Sequence, residues 1–464
     1  MVVRNSEEDP ERETSAAIAT PPGRGALAVV RVSGPDTVQV AERLGLHGLT
    51  PRTARLRRLE HPESGHPVDR VLATLFPGPA SYTGEDLLEV SSHGGHLIPQ
   101  LVLDAVLAAG ARPAEPGEFT RRAYLNGRID LLQAEATADL IDAASPALAN
   151  AALRQLERGL SHRIETLRER LIEVQALLAY DIDFPEEDEG PVDSARVDAA
   201  VAALRQELDS LLKLAPEGEM LREGALTVIA GRPNAGKSSL FNGLVGFERA
   251  IVTEHPGTTR DAIEAVIGVD GYPFRLVDTA GLHETAEAVE EIGIEVARSY
   301  LGRAELVLFC VEDGRPLEPD ETAFLDEWPS NGRTTILVRT KADLHSDENT
   351  KPPAMADLSV PQVRLSAKEG EGISALRKSM LDAAWSTVRA RPEAPLVTRR
   401  RHVRALESAR RSIEEFCAAC EAKMPAEIAV THLQDATLRL EELLGSISTE
   451  ELLDRVFASF CVGK

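Results

Sequence analysis

The chain has 464 residues, of which 43% are hydrophobic and 27% are charged, a composition typical of a soluble globular protein with roughly two to four domains. Its formal charge of −24 argues against non-specific adhesion to nucleic acid over the whole surface, but it allows a local basic patch. No apolar run approaches the ~20 residues of a membrane span, Met1 to Glu13 has no apolar signal core, and four cysteines are too few for a disulfide framework, so we expect a cytoplasmic protein without membrane contact.

The first part of the chain predicts a compact α/β domain. Short apolar runs at Ala26–Val32, Val71–Phe76 and Leu87–Val90 are bounded by turn residues and predict strands. Asp36–Leu44 and Ile98–Ala109 predict helices between and after them. Strands and helices in this order are typical of a mixed α/β fold.

From about Leu131 the pattern becomes helical. Apolar residues recur every three or four positions from Leu153 to Leu178 and predict one long helix with an apolar face. The acidic run Pro185–Pro191 follows, and it is either a partner-binding loop or a solvated connector. A second helix is predicted for Val197–Leu214.

The most informative stretch is Gly231–Ser238. It lies between a predicted buried strand, Leu226–Ala230, and a predicted helix, and it has the glycine and lysine spacing of a phosphate-binding loop. Its two glycines let the backbone approach a phosphate closely, and its N–H groups form an anion site. We expect Lys237 to supply a charge for the outer phosphates and the Ser238 hydroxyl to ligate Mg²⁺.

Four further segments follow in the order that a GTPase requires. In Pro256–Asp261, Thr259 is the candidate that reaches Mg²⁺ when a γ-phosphate is present. In Asp278–Gly281, the aspartate can hold Mg²⁺ through water and the glycine N–H can meet the γ-phosphate. In Thr340–Asp343, the final carboxylate can accept from guanine N1–H and the 2-amino group, and Ser366–Lys368 can present an N–H to guanine O6.

The rest of this region predicts an inserted GTPase. Asp270-Gly271 between two apolar runs predicts a hairpin, so one antiparallel strand joins an otherwise parallel sheet. After Pro392, a second apolar stripe from Val403 to Cys420 predicts another helix, which can pack with the earlier ones as one helical domain. We interpret Cys417 and Cys420 as buried apolar residues, because a metal site would need a second such pair.

A basic cluster opens this last helical stretch at Arg399–His402 with Arg404. It is either a nucleic-acid patch or a basic helix start that faces the acidic run.

Several stretches outside the GTPase motifs closely resemble the MnmE family, also called TrmE, of bacterial tRNA-modification GTPases. They are Ala19–Gly25, Phe76–Pro79, Tyr82–Asp86, Pro116–Thr120, Leu125–Leu131, Asp181–Pro185 and the last five residues, Phe460–Lys464. The first domain and these last residues separate this family from other GTPases, including the ribosome-assembly switches of the Era or EngA kind, which remain the alternative reading.

The resemblance implies a multidomain α/β and all-α fold. A disordered tail (1–15) would precede a tetrahydrofolate-binding and dimerisation domain (16–125), a helical domain (126–223), a Ras-like P-loop GTPase domain (224–386) and the second part of the helical domain (387–464). It also implies a homodimer that acts with the flavoprotein MnmG. Together they would hydrolyse GTP and add a carboxymethylaminomethyl or aminomethyl group to C5 of the wobble uridine of tRNA. The one-carbon donor would be 5,10-methylenetetrahydrofolate, with 5-formyltetrahydrofolate as an analogue, and K⁺ would drive dimerisation of the GTPase domains.

The site residues follow from the same resemblance. Folate contacts would be Arg31, Glu89, Arg128 and Lys464. The K⁺ ligands would be the Asn234 side chain with Thr253, His255 and Thr258, and the Mg²⁺ ligands Ser238 and Thr259. Catalytic roles would fall to Lys237, to Glu290 as the residue that positions water, and to Cys461 in the modification chemistry. The GTP contacts would be Asn234, Ala235, Gly236, Lys237, Ser238, Ser239, Thr253, Glu254, His255, Pro256, Gly257, Thr258, Asp278, Thr279, Ala280, Gly281, Thr340, Lys341, Ala342, Asp343, Ser366, Ala367 and Lys368.

The chain departs from the family pattern at several positions. Thr340 stands where the family normally has asparagine, and its hydroxyl reaches less far but can still tie two loops together. Arg128 replaces a lysine, His283 an arginine, and Pro256 stiffens the proposed K⁺ loop.

Overall fold

The computed structural model describes residues 13–183, 194–247, 263–278, 299–330, 334–345, 358, 360–389, 397–447 and 449–464. They fall into two compact units, and the first comprises Met1–Ala138 with Leu440–Lys464. The second comprises Asp139–Arg439. Several predicted features lie outside the described residues: the acidic run Pro185–Pro191, Thr253–Thr259, Thr279–Gly281, His283 and Glu290.

The first unit is built on a six-stranded sheet. Its elements are β1 Ser15–Ile18, β2 Leu27–Ser33, α1 Thr37–Arg43, β3 Arg55–Glu60, β4 Pro67–Phe76, β5 Leu87–His93, α2 Ile98–Ala108, β6 Arg112–Pro113, α3 Glu118–Leu125, and α4 Leu131–Ile141, which ends in the second unit. The helix α14, Glu450–Phe457, comes from the far end of the chain. The strand order is β3-β4-β5-β2-β1-β6, and every neighbouring pair is antiparallel except β1 and β6.

The predicted strands and helices of this region are confirmed, but β1, β3 and β6 were not predicted. β3 reads Arg-Leu-Arg-Arg-Leu-Glu and lies at the edge of the sheet. Its composition is too polar to be recognised as a strand from the sequence. Because β1 begins at the fully buried Ser15, the domain starts inside the segment that we assigned to the tail.

Residues from the two ends of the sequence form one apolar cluster in the first unit. Leu131 and Ala134 of α4 pack with Leu453 and Phe457 of α14. The Tyr124 hydroxyl donates to the Gly445 carbonyl oxygen in the same unit. Contacts of this kind place the end of the chain within the first unit.

The second unit contains a mostly parallel sheet and a set of long helices. Its helices before the sheet are α5 Pro146–Leu156, α6 Gly159–Asp183, α7 Ser194–Lys213 and α8 Ala215–Glu223. The sheet region comprises β7 Ala225–Gly231, α9 Lys237–Phe247, β8 Ile263–Val269, β9 Tyr272–Asp278, β10 Leu306–Glu312, α10 Pro319–Ser330, β11 Thr334–Thr340, β12 Gln362–Arg364 and α11 Ile373–Arg389. The last two helices are α12 Arg400–Glu421 and α13 Ala426–Leu444, which ends in the first unit.

This sheet has the predicted topology. Its order is β12-β11-β10-β7-β9-β8, with β8 antiparallel to β9 and the other pairs parallel. The hairpin at Asp270-Gly271 is confirmed. Buried apolar clusters lie on both faces, as is typical of a parallel sheet covered by helices.

The prediction of one long helix from Leu153 to Leu178 is wrong. The chain forms α5 and α6 instead, and Arg158 between them has a left-handed φ of +66°. Ser145 caps the start of α5 by accepting from the Leu148 N–H at 3.2 Å. The break is so short that apolar residues still recur every three or four positions across it. The apolar pattern therefore predicts one helix where there are two.

The interpretation of Cys420 as a buried residue is also wrong, because this side chain is exposed, and Cys417 is half-buried. The buried face of α12 is carried by Leu406, Ala409, Ile413, Phe416 and Ala419. Ala419 takes the core position that the spacing had assigned to Cys420.

The basic cluster that opens α12 is largely neutralised. The Arg399 guanidinium, 15% exposed, bonds to Asp139 at 2.6 Å, and Arg222 of α8 bonds to the same carboxylate at 3.2 Å. His402 is fully buried, and Arg400 lies 3.7 Å from Glu223. These contacts argue against a nucleic-acid patch at this position, and the acidic run, which the cluster would face in the other interpretation, lies outside the described residues.

Among the helices that the structure describes, none has the length and low charge needed to cross a bilayer.

Candidate functional site

The loop between β7 and α9 closes around a lysine. The Lys237 ammonium donates to the carbonyl oxygens of Gly231 and Arg232 at 3.0 and 2.9 Å, and the residue is 7% exposed. Burial lowers the pKa of Lys237, although the nearby Asp278 acts in the opposite direction. The loop therefore holds the charge at its centre, where the outer phosphates of a nucleotide would bind.

Both glycines of this loop also pack closely against a neighbouring strand. At Gly231, with φ +137°, a Cβ would lie 2.4 Å from the Cys310 carbonyl oxygen of β10. At Gly236, with φ +83°, it would lie 3.2 Å from the Thr340 hydroxyl oxygen of β11. Asn234 between them is exposed and has a left-handed φ of +64°. The glycines are thus required by the fold as well as by a phosphate.

The described part of the predicted Mg²⁺ site lies at one edge of the sheet. Ser238 is exposed in the first turn of α9. Asp278 is buried at the end of β9, and its pairing with Ile229 places it beside the strand that leads into the loop. Both residues lie where the carboxyl ends of parallel strands meet, as binding sites in open α/β sheets do. Thr259 lies outside the described residues.

The two segments predicted to recognise guanine are joined by hydrogen bonds. The Ser366 hydroxyl donates to an Asp343 carboxylate oxygen at 2.7 Å and lowers the pKa of Asp343, so the carboxylate is ionised near neutral pH. The Ala342 N–H donates to the Leu365 carbonyl oxygen at 3.1 Å. Because the Ser366 N–H already donates to the Glu371 carbonyl oxygen, a donor to guanine O6 would come from Ala367 or Lys368.

A second polar cluster lies in the first unit, where β2 pairs with β5. Arg31 is directly opposite Glu89, and its Nε lies 2.9 Å from the carboxylate. The Arg31 guanidinium stands 5.7 Å from the centre of the Tyr82 ring, and the Tyr82 hydroxyl bonds to the Thr120 hydroxyl at 2.9 Å. Tyr82 had no predicted role, although it begins one of the stretches that resemble the family.

The last residues of the sequence complete this cluster. The Gly117 N–H donates to the Cys461 carbonyl oxygen at 3.3 Å, and the Phe119 N–H donates to Lys464 O at 3.1 Å. Burial and then the charge of Arg31 lower the pKa of Lys464, while Glu89 acts in the opposite direction. Three of the four predicted folate residues are therefore brought together.

The fourth, Arg128, is exposed, and its side chain packs on the loop that carries Tyr82. A Cβ at Gly84 of that loop would lie 3.2 Å from the Arg128 Cγ. Cys461 is exposed in the docked tail. This cluster presents one carboxylate, several cations and an aromatic ring to one region of the first unit.

Two family models cover nearly the whole chain. The model described as GTP-binding protein TrmE N-terminus matches residues 14–128, and the MnmE helical domain matches residues 131–461. The chain belongs to the MnmE family of tRNA modification GTPases.

Individual relatives match at full length. The tRNA modification GTPase MnmE of Azoarcus sp. is 42% identical over 97% of this chain and 98% of its own. The MnmE of Natranaerobius thermophilus is 36% identical over 97% and 99%, and that of Vibrio cholerae is 41% identical over 97% and 99%. Among solved structures, the G domain of the T. maritima FeoB iron transporter is 30% identical over 34% of this chain and 97% of that one, with a TM-score of 0.26.

In this MnmE family member the guanine motif begins with Thr340, which connects that motif to the phosphate loop. Thr340 is 2% exposed, and its hydroxyl lies 2.7 Å from the Ala235 carbonyl oxygen and 3.3 Å from that of Val311. The prediction that a hydroxyl here still ties two loops together is confirmed.

Replacing Thr340 with valine should weaken GTP binding about tenfold and destabilise the protein by ~1–3 kcal/mol, because the Ala235 carbonyl would lose its partner. Nucleotide titration and urea unfolding would measure both. Thr335→Val on the same strand is the matched control, since its buried hydroxyl has no hydrogen-bond partner among the described residues. Equal effects of the two substitutions would contradict this role for Thr340.

Proposed function

We propose that the chain acts with the flavoprotein MnmG to modify C5 of the wobble uridine of tRNA, adding a carboxymethylaminomethyl or aminomethyl group at the cost of GTP. A tetrahydrofolate, 5,10-methylenetetrahydrofolate, would donate the carbon. The observation that carries the proposal is the cluster of Arg31, Glu89 and Lys464 in a chain that also holds a complete phosphate loop. A simple GTPase switch would not need the cluster, and a protein that only binds folate would not need the phosphate loop.

The chemistry of the first cluster suits a folate. The Glu89 carboxylate can accept from the N–H donors of a pterin, while the ion pair with Arg31 at 2.9 Å orients that carboxylate. Lys464 and Arg128 can pair with the carboxylates of a glutamate tail. Cys461 lies in the same docked tail, so we assign its thiol to the modification step. Unchanged wobble-uridine modification by Cys461→Ser would remove that assignment.

The second site suits GTP hydrolysis that depends on cations. Lys237 and the loop N–H groups would bind the phosphates, and Ser238 with Thr259 would hold Mg²⁺. Asn234, with Thr253, His255 and Thr258, would hold K⁺ where it offsets the charge that builds between the β- and γ-phosphates. Glu290 would orient the attacking water. We further propose a homodimer whose GTPase domains pair during hydrolysis and so complete these sites.

The direct test is reconstitution. Incubating the chain with MnmG, GTP, 5,10-methylenetetrahydrofolate and unmodified tRNA should yield a modified wobble nucleoside, detected by mass spectrometry of digested tRNA. Omitting GTP or the folate should abolish the product. A protein that hydrolyses GTP but leaves the uridine unmodified in the complete mixture would overturn the proposal.

GTP hydrolysis should be at least tenfold faster in KCl than in NaCl at matched ionic strength, because a bound K⁺ would stabilise the transition-state charge by ~1.4 kcal/mol or more. ATP serves as the control nucleotide and should not be hydrolysed, since Asp343 selects the guanine base. Asn234→Ala should remove the difference between the two salts. Equal rates in both salts would disprove the K⁺ site.

A further inference from the structure

Arginines concentrate at the outer edge of the first unit's sheet. The group comprises Arg52, Arg55, Arg57, Arg58 and Arg70, which we call the basic edge. β3, which carries three of them, is the outermost strand. Residues 50–72 hold these five arginines against three carboxylates, in a chain whose formal charge is −24. The basic edge is therefore a local exception to the charge of the protein.

Like charges oppose one another within the basic edge. Arg58 of β3 is paired directly with Arg70 of β4, and the neighbouring pair on the same open face is Leu56 with Leu72. Directly opposed like charges destabilise an antiparallel pair. An anionic ligand bound at the edge would offset this repulsion.

Nearby carboxylates do little to neutralise these arginines. Glu60 lies 3.3 Å from Arg58. The Asp69 carboxylate is engaged by the His93 ring at 2.7 Å and by the N–H groups of His93 and Arg70. Across the described ranges, no acidic side chain forms an ion pair with Arg52, Arg55, Arg57 or Arg70. The cluster at the start of α12 contrasts with this, because Arg399 and Arg400 there have acidic partners.

One arginine of the basic edge contacts the segment that leads to the proposed folate cluster. The Arg52 N–H donates to the Leu75 carbonyl oxygen at 2.8 Å, and the Arg52 guanidinium donates to the Ala80 carbonyl oxygen. Ala80 is two residues before Tyr82, whose ring faces Arg31. A strand of nucleic acid held along the basic edge would thus lie on the same sheet as Glu89, two strands away from it.

We propose that the basic edge binds the phosphate backbone of the tRNA substrate. The assignment rests on the proposed function for the identity of the RNA. Guanidinium groups bind phosphate oxygens through two parallel hydrogen bonds. Arg58 and Arg70 lie on one face of the edge and Arg55 and Arg57 on the other, so both faces offer such contacts without reading sequence. The edge supplies the local positive charge that an otherwise acidic protein needs to bind RNA.

The test measures tRNA affinity of the full chain as a function of KCl concentration. The variant Arg55→Gln/Arg57→Gln/Arg58→Gln/Arg70→Gln should bind tRNA at least tenfold more weakly at low salt. Its slope of log affinity against log salt should be smaller by about 2 to 3, since each lost phosphate contact removes ~0.7–0.9. The matched lysine variant should keep the wild-type slope, because it keeps the charges.

A second control removes charge elsewhere. Arg400→Gln/Arg401→Gln/Arg404→Gln at the start of α12 should leave the salt slope unchanged, so that a loss at the basic edge reflects position and not net charge. Thermal unfolding and GTP hydrolysis verify folding, and if the fourfold variant does not fold, the pairs Arg55→Gln/Arg57→Gln and Arg58→Gln/Arg70→Gln replace it.

An unchanged slope in the glutamine variants would overturn the assignment, as would a wild-type chain that fails to bind tRNA. A changed oligomeric state with an unaltered slope would instead assign the edge to contact with a second copy. Failure of the proposed function is distinguishable, because a chain could bind tRNA through this edge yet leave the wobble uridine unmodified in the reconstituted mixture.

Discussion

Gly463→Ala should reduce folate affinity at least 100-fold. Gly463 has a φ of +94°, and a Cβ on this residue would lie 2.5 Å from the Ile18 carbonyl oxygen and 2.8 Å from the Ala19 Cα. Both neighbours are backbone atoms of the sheet domain, so the tail and not the strand must move. Lys464 would then leave the vicinity of Arg31 and Glu89. Isothermal calorimetry with 5-formyltetrahydrofolate measures the loss.

Gly95→Ala is the matched control for that substitution. Gly95 has a similar φ of +100°, but nothing lies within 4 Å of the position that a Cβ would take. It therefore carries the same backbone strain, roughly 1 kcal/mol, without the collision. Nucleotide affinity should be unchanged in both proteins. Folate binding by Gly463→Ala at the level of Gly95→Ala would show that the tail does not form part of the site.

Gly218→Ala should destabilise the second unit by about 3 kcal/mol or more, an unusually large effect for one methyl group. Gly218 lies in α8, which leads into β7, and a Cβ there would come 1.9 Å from the Val397 carbonyl oxygen. Val397 belongs to the segment that follows the GTPase region and leads into α12. The two connections to the GTPase region are thus in direct contact through a glycine.

The measurement is thermal unfolding followed through the second unit, where this loss corresponds to roughly 6–12 °C. Gly246→Ala in α9 is the control, because nothing lies within 4 Å of its Cβ position and alanine should stabilise a helix by ~0.5–1 kcal/mol. If the midpoint of Gly218→Ala fell within 2 °C of wild type, the connections could separate without cost, contrary to the packing.

The nucleotide site could be predicted from the sequence because its signal is local. Gly231–Ser238 combines spacing with a strand before it and a helix after it, and each of those elements is stabilised by its own apolar pattern. Asp278 and Asp343 follow strands, so their position at the same edge of the sheet follows from parallel pairing. The proposed folate cluster was predicted from the resemblance alone, since nothing local indicates that Lys464 lies near Arg31.

Two of the features that the sequence does not settle, the surroundings of Arg399 and the strand β3, depend on pairing partners that are distant in sequence. From the sequence Arg399 is expected to be an exposed cation, but in the structure it forms an ion pair with Asp139, which lies 260 residues earlier. The sequence of β3 is typical of a polar loop, and the segment is a strand because it pairs with β4. The left-handed backbone conformation of Arg158 ends a helix, and the spacing of apolar residues does not predict such a conformation.

The cluster that unites α4 with α14 has a consequence for biosynthesis. The bonds from Tyr124 to Gly445 and from Arg121 to Asp454 span 321 and 333 residues, so the first unit reaches its final contacts only after the intervening chain has left the ribosome. At ~5–20 residues per second that takes roughly 15–70 s. During this time Leu131 and Ala134 lack their apolar cover from Leu453 and Phe457. The nascent chain therefore exposes a surface that chaperones recognise, and co-translational folding should begin with the sheet of β1 to β6 while α4 waits for its partner.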